Sequence, residues 1–152
     1  MNDMLIANWN AKVKGADTVY HLGDFGFGPT VRLVRPRLNG TIRLILGNHD
    51  KIKLEDACLF MSIDRLKLID VDHQRIVLCH YPMLTWQFSG KGSWNLHSHC
   101  HGNLADDPNS LRIDVGVDCW DYAPVSMQQL RSRMEKKTFK PVDHHGVDTD
   151  EL

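Results

Sequence analysis

Four apolar runs of this sequence end in side chains that bind metals. VYHLGD closes on Asp24, RLILGN on Asn48, RIVLCH on His80 and WNLHSH on His99, with His101 two residues further on. Runs of this kind read as strands. In open α/β sheets ligands gather outside the carboxyl ends of the strands, so residues scattered along the chain can meet at one edge. A carboxylate, an amide oxygen and imidazoles form a mixed oxygen and nitrogen set. Such a set suits Mn²⁺, Fe or Zn²⁺, whereas Mg²⁺ and Ca²⁺ favour all-oxygen shells. Nine of the 152 residues are histidine, several beside Asp or Asn, and the chemistry is expected there.

The elements that must position these residues follow from periodicity. Residues 3–13 read as a helix, with Leu5, Trp9 and Val13 four apart and Gly15 as a stop. Residues 17–22 and 41–46 read as strands, and 30–38 as a weak helix interrupted by Pro36. Residues 53–61 are expected to be helical. The runs 66–71 and 75–79, split by Asp72-His73, form a hairpin pattern. Residues 84–93 read as a surface loop, 94–96 and 111–117 as strands, and Ser126 with Gln129 as a capping box before Met127, Leu130 and Met134. From Pro141 onward the chain is acidic and aperiodic, a mobile tail of residues 141–152 after one domain of 1–140. Strands alternating with helices, plus a hairpin, indicate an α/β layered fold, partly antiparallel.

Composition narrows the class. Eighteen basic against nineteen acidic side chains give a net charge of −1, too balanced to signal stable nucleic-acid or anionic-membrane binding. No run approaches the roughly 18 apolar residues of a membrane span. The start Met-Asn-Asp-Met lacks a secretion leader, and the four cysteines form no CxxC pair, so a cytoplasmic protein with reduced thiols is expected.

GD at Asp24, GNHD at 47–50, CHYP at 79–82 and SHCHG at 98–102 occur in that order. They resemble the calcineurin-like metallophosphoesterase signature GD…GNHD…H…GHxH. The runs LIANWNAKV, DTVYHLGDF, GSWNLHSHCHG and RIDVGVDCWDYAPVS are similar to the small bacterial and phage members of that superfamily, over residues 1–137. The resemblance implies a layered β-sandwich flanked by helices and a pair of metal ions. Asp24 would bridge them, Asn48, His80 and His99 would complete one site, and His101 would serve the other. His49 would be the imidazole that stabilises or protonates the leaving oxygen, with Asp50 orienting it, and a hydroxide on the metal pair would attack phosphorus in line.

Two departures stand out. Ser98 replaces the family's usual Gly, small for small. The family also begins with a strand ending in Asp-x-His, upstream of the helix that opens this chain, and no Asp-x-His precedes Asp24. The chain therefore reads as an N-terminally truncated or internally started form, or one with an altered site. One tight ion is expected, Mn²⁺ first with Fe, Zn²⁺ or Ni²⁺ as alternatives, beside a second that is weak or differently ligated. Substitute ligands could come from His144 and His145 or from a partner chain, and the strand's absence predicts a homodimer or another segment in its slot.

Plainer roles compete for several residues. His97 reads as packing beside the site, His21 as a structural strand residue, and Cys79 and Cys100 as small packing groups. Asp114 and Asp118 read as support. Arg32, Arg35, Arg37 and Arg43 could attract phosphate but fit a solvated face. The leading expectation is a phosphodiesterase; a phosphomonoesterase, or an inactive binding module stapled by metal, are the alternatives.

Overall fold

The computed structural model describes residues 2–142, so the acidic tail from 143 on, with His144 and His145, lies outside the described residues. Helix α1 (Asn2–Lys12) buries Ile6 and Trp9, and Val13 just beyond its end. That stripe differs from the expected one by a single position, because Ile6 rather than Leu5 turns into the core, leaving Leu5 half-buried. Strand β1 (Thr18–His21) follows and pairs in parallel with β2 (Thr41–Ile45), Thr18 opposite Thr41 and His21 opposite Leu44. Between them lie α2 (Thr30–Val34) and a 3-10 turn, Arg35–Arg37, in which Pro36 stops the α-helix as expected.

Residues 53–61 form no α-helix: a 3-10 segment, Leu54–Leu59, occupies them, with Leu54 almost fully exposed and Asp56 buried. Without an apolar stripe to bury, the tighter coil is not carried into an α-helix. Strand β3 (Ser62–Asp64), too short to announce itself by alternation, adds in parallel to β2 and completes a sheet of order β1-β2-β3.

The second sheet has the order β4-β5-β6-β7. Strands β4 (Leu66–Val71) and β5 (Gln74–Cys79) form the expected antiparallel hairpin, turning at Asp72 and His73, both with positive φ. Strands β6 (Trp94–His97) and β7 (Arg112–Asp114) then add in parallel. The strand expected over 111–117 ends early because Gly116 and a 3-10 turn, Val117–Cys119, redirect the chain. The loop at 84–93 is no mere surface loop: Trp86 is buried and its indole N–H donates to Ser93, itself 1% exposed. Helix α3 (Met127–Met134) has the full Ser126–Gln129 capping box and buries Leu130 and Met134, one turn apart.

The protein is thus mixed α/β, with two sheets and three α-helices among the described residues. Alternation along β2 splits its side chains between two cores. Ile42 and Leu44 pack with Trp9, Val31 and Phe60, while Ile45 packs with Leu22, Ile76, Leu78 and Leu96.

Strand β1 is an edge strand, and beside it lies a cavity of about 930 Å³ bordered by Trp9, Tyr20, Leu78, Leu96 and Leu130. At about 24 cal/mol per Å³, a sealed apolar void that size would cost on the order of 20 kcal/mol. That exceeds the roughly 5–15 kcal/mol by which a domain is stable, so this space must be open to solvent or filled. No helix among the described residues is long and apolar enough to cross a membrane.

Candidate metal centre

The two sheets meet at the carboxyl ends of β1 and β5. The Leu22 carbonyl oxygen accepts a hydrogen bond from His80 Nδ1 at 2.7 Å and another from Ser98 Oγ at 2.6 Å. A carbonyl can only accept, so Nδ1 carries the proton and the Nε2 lone pair of His80 faces the other way. Into that space come three further donors. Asn48 Oδ1 lies 2.9 Å from Nε2, His99 Nδ1 3.2 Å and Asp24 Oδ2 3.5 Å.

Asp24, His80 and His99 each offer a ligand atom within 4.8 Å of the other two. Ligand atoms held about 2.1 Å from one ion stand about 3.0–3.4 Å apart in tetrahedral or octahedral geometry, which is close to the spacing found. A proton on Nε2 could serve one neighbour; a cation serves all four. The residues fit a divalent ion, with His80 1% exposed at the floor and His99 open to solvent.

Local backbone explains the motif glycines. A Cβ on Gly23 would come within 2.5 Å of His80 Nδ1 and 2.6 Å of the Gly47 nitrogen, and one on Gly47 would strike the Asp24 carboxylate. Only bare backbone lets the loops after β1 and β2 approach this closely. Asp24, His99 and His101 all hold φ between 50° and 68°, a conformation that is strained for a side-chain-bearing residue and clusters at functional sites.

Asp50 departs from its expected role. Its carboxylate accepts from the backbone N–H of Asp24, Phe25 and Gly47, each at 2.8 Å, and it makes no bond to the His49 ring. A carboxylate facing three amides is held by them, so Asp50 ties the two loops together rather than orienting an imidazole. His49 is exposed, donates its backbone N–H to Asp24 Oδ1 at 2.9 Å, and lays its ring against Phe27.

His101, expected at a second ion and not at this one, lies apart from the cluster. Its Nδ1 pairs with Asp118 Oδ2 at 2.8 Å, and its side chain is largely exposed. The structure therefore brings Asp24, Asn48, His80 and His99 to one point and leaves His101 with Asp118 outside it. Asp114 supports the same loop by accepting from Gly102 and Gly116 N–H.

His97 is buried beside the site, and burial lowers its pKa. His21 packs between Trp9 and Phe25, where burial pushes its pKa down to about 4. Cys100 and Cys119 have thiol pKa values raised by burial, first of all, and by the nearby Asp114. Three of the four arginines are committed elsewhere: Arg32 to Glu55 and Asp56, Arg35 to the carbonyls of Leu38, Gly40 and Leu59, Arg37 to Asp3. Sequence reading gave Ser98 no role, yet its hydroxyl shares the carbonyl that sets the His80 tautomer; a polar residue in a glycine's place was the available signal.

The fold is mixed α/β, and where its two sheets meet Asp24, His80 and His99 form a candidate metal-ligand group, with Asn48 Oδ1 beside His80. No protein-family model matches the chain. It is 32% identical over 145 residues to the uncharacterized protein MJ1445 of Methanocaldococcus jannaschii, a match covering 90% of this chain and 76% of that one, and it belongs to the same family. The gene 66 protein of Mycobacterium phage D29 is 29% identical over 158 residues, covering 81% and 77%. A protein of unknown function from Aquifex aeolicus, AQ665, shares the fold, with a TM-score of 0.66 at 24% identity over 87% of this chain and 84% of that one.

Proposed function

We propose that this protein is a metal-dependent phosphoesterase of the calcineurin-like kind, a layered sandwich acting on phosphodiesters. The observation that carries the reading is the meeting of four lone-pair donors, from Asp24, Asn48, His80 and His99, beside an exposed imidazole at His49. A bound divalent ion supplies Lewis acidity, polarising a phosphoryl oxygen and lowering the pKa of water toward 7. The mixed donor set favours Mn²⁺, with Fe, Zn²⁺ or Ni²⁺ as competitors.

The chain's own residues do the rest. His80, fixed by Leu22 and Ser98, keeps its lone pair aimed inward. Asp24 anchors the loop after β1, and its tie to the His49 backbone sets where the His49 ring stands at the rim. From there His49 donates a proton to the departing oxygen. His101, paired with Asp118, is the residue on hand for a second and weaker ion. The commitment of Arg32, Arg35 and Arg37 to other partners leaves the motif loops poor in cations, which supports a diester over a doubly charged monoester.

The test is turnover of bis(p-nitrophenyl) phosphate with and without Mn²⁺, alongside metal content per chain. Mn²⁺-dependent turnover with about one tightly held ion supports the reading. Faster turnover of p-nitrophenyl phosphate would move it to the monoesterase. A bound ion with neither activity would favour a binding module whose ion only staples the fold, a reading that the convergence of only one ion's ligands also supports.

The open edge of β1 and its cavity support a partner as well. An unpaired strand edge recruits another strand, and a homodimer in which each copy covers the other's β1 is our proposal for the assembly. A monodisperse monomer in light scattering, with the β1 amides exchanging freely, would refute it.

A further inference from the structure

The two imidazoles of the candidate centre are held in different ways. His80 is buried, and its Nδ1 is tied to the Leu22 carbonyl. His99 is exposed and sits at φ 68° on the loop after β6. Among the described residues its ring has one hydrogen-bonding neighbour, His80 Nε2, 3.2 Å from its Nδ1. A cation facing both lone pairs takes the place of that contact, since two nitrogens that donate to one ion cannot share a proton. Metal-binding histidines ordinarily give their other ring N–H to a carboxylate or a carbonyl, which fixes the ring. His99 has no such partner among the described residues.

What does touch the His99 ring is Tyr81, edge-on, with centroids 4.8 Å apart and planes at 63°. The same tyrosine meets His80 at 5.0 Å and 80°. Its place follows from the chain. Tyr81 precedes Pro82, which disfavours helical backbone at Tyr81. The Ser98 N–H donates to the His80 carbonyl at 3.0 Å and stitches the ends of β5 and β6 together beside the rings. The Tyr81 hydroxyl makes no hydrogen bond among the described residues, so the ring alone makes the contact.

We propose that Tyr81 is a positioning residue of the metal centre, its ring braced against His99 and His80 so that the His99 imidazole stays turned toward the ion. The proposal rests on the metal site of the reading above and not on the hydrolysis. An exposed imidazole on a loop loses rotamer freedom when it binds an ion, and a ring contact that already holds it lowers that cost. An edge-on aromatic pair of ordinary strength corresponds to about fivefold in affinity.

Calorimetric titration of the chelator-stripped full chain with Mn²⁺ tests this. Tyr81→Ala should bind about fivefold more weakly, with the melting temperature of the metal-free protein little changed. Tyr81→Phe should bind like the wild type, and Tyr81→Leu, with bulk but no ring, like Tyr81→Ala. Unchanged affinity in Tyr81→Ala, full rescue by Tyr81→Leu, or no rescue by Tyr81→Phe overturns the positioning role and leaves the centre standing. Wild-type protein that takes up no Mn²⁺ overturns both. Binding weakened by Tyr81→Ala and restored by Tyr81→Phe, without turnover of bis(p-nitrophenyl) phosphate, would support the role and refute only the hydrolysis.

Discussion

His80 and Leu22 are joined by one 2.7 Å hydrogen bond that crosses from the second sheet to the first and fixes which imidazole nitrogen faces the cluster. Ser98 adds its hydroxyl to the same carbonyl and lies 3.1 Å from the same ring nitrogen. Groups that orient a metal-binding imidazole typically contribute 10–100-fold to affinity. Ser98→Ala should therefore weaken Mn²⁺ binding by about tenfold in calorimetry with little change in melting temperature. Unchanged affinity would mean the Leu22 bond alone sets the ring.

Replacing His49 separates binding from chemistry. The residue is exposed and touches the cluster only through its backbone, so His49→Ala should keep its ion. Turnover should fall about 10²–10⁴-fold, the usual contribution of a general acid. The loss should be smaller with p-nitrophenolate leaving than with an alkoxide, since the better leaving group needs less protonation. Equal losses for both would reduce His49 to a positioning role.

His99 and His101, two residues apart, should behave differently. His99→Ala removes a donor 3.2 Å from His80 Nε2 and should abolish both tight metal binding and activity. His101→Ala loses a pairing with Asp118 at the exposed edge and should only raise the Mn²⁺ level needed for half-maximal rate. Metal titrations of the two variants side by side check this, and identical curves would contradict the one-tight-ion arrangement.

Acid should destabilise the fold through His21. Burial holds its pKa at about 4 against the ordinary 6.5, with Asp50 and Asp24 pulling it up and His80 pushing it down. The unfolded chain binds the proton first as pH falls. The stability linked to this group is thus complete above about pH 6.5 and is lost as pH drops toward 4, about 3 kcal/mol in all. Urea unfolding at pH 7 and pH 4.5 in the presence of chelator, compared with His21→Gln, measures it. A variant with the same pH slope as the parent would assign the loss elsewhere.

Strand ends were legible from the sequence because apolar runs stop at Gly-Asp and Gly-Asn, and the structure converges on the same side chains. The hairpin and the capping box were equally plain, each being a local pattern. What escaped was tertiary. Strand β3 has three residues and gains its identity only from β2 beside it. Trp86 looked like loop composition, yet it is buried through a bond to Ser93 seven residues on. Asp50 carries the same sequence signal whether it serves a ring or three amides; only the folded loops decide.

The grip of Asp50 on Asp24, Phe25 and Gly47 ties the two loops that carry Asp24 and Asn48 by the chain's own hydrogen bonds. Small zinc-dependent domains are shapeless until loaded, so chelation unfolds them. On the proposed reading, those bonds would keep the two loops joined when the ion is removed. Stripping the metal should then silence the protein without melting it, and ions should come and go at the pace at which they shed water, not at the pace at which a chain refolds.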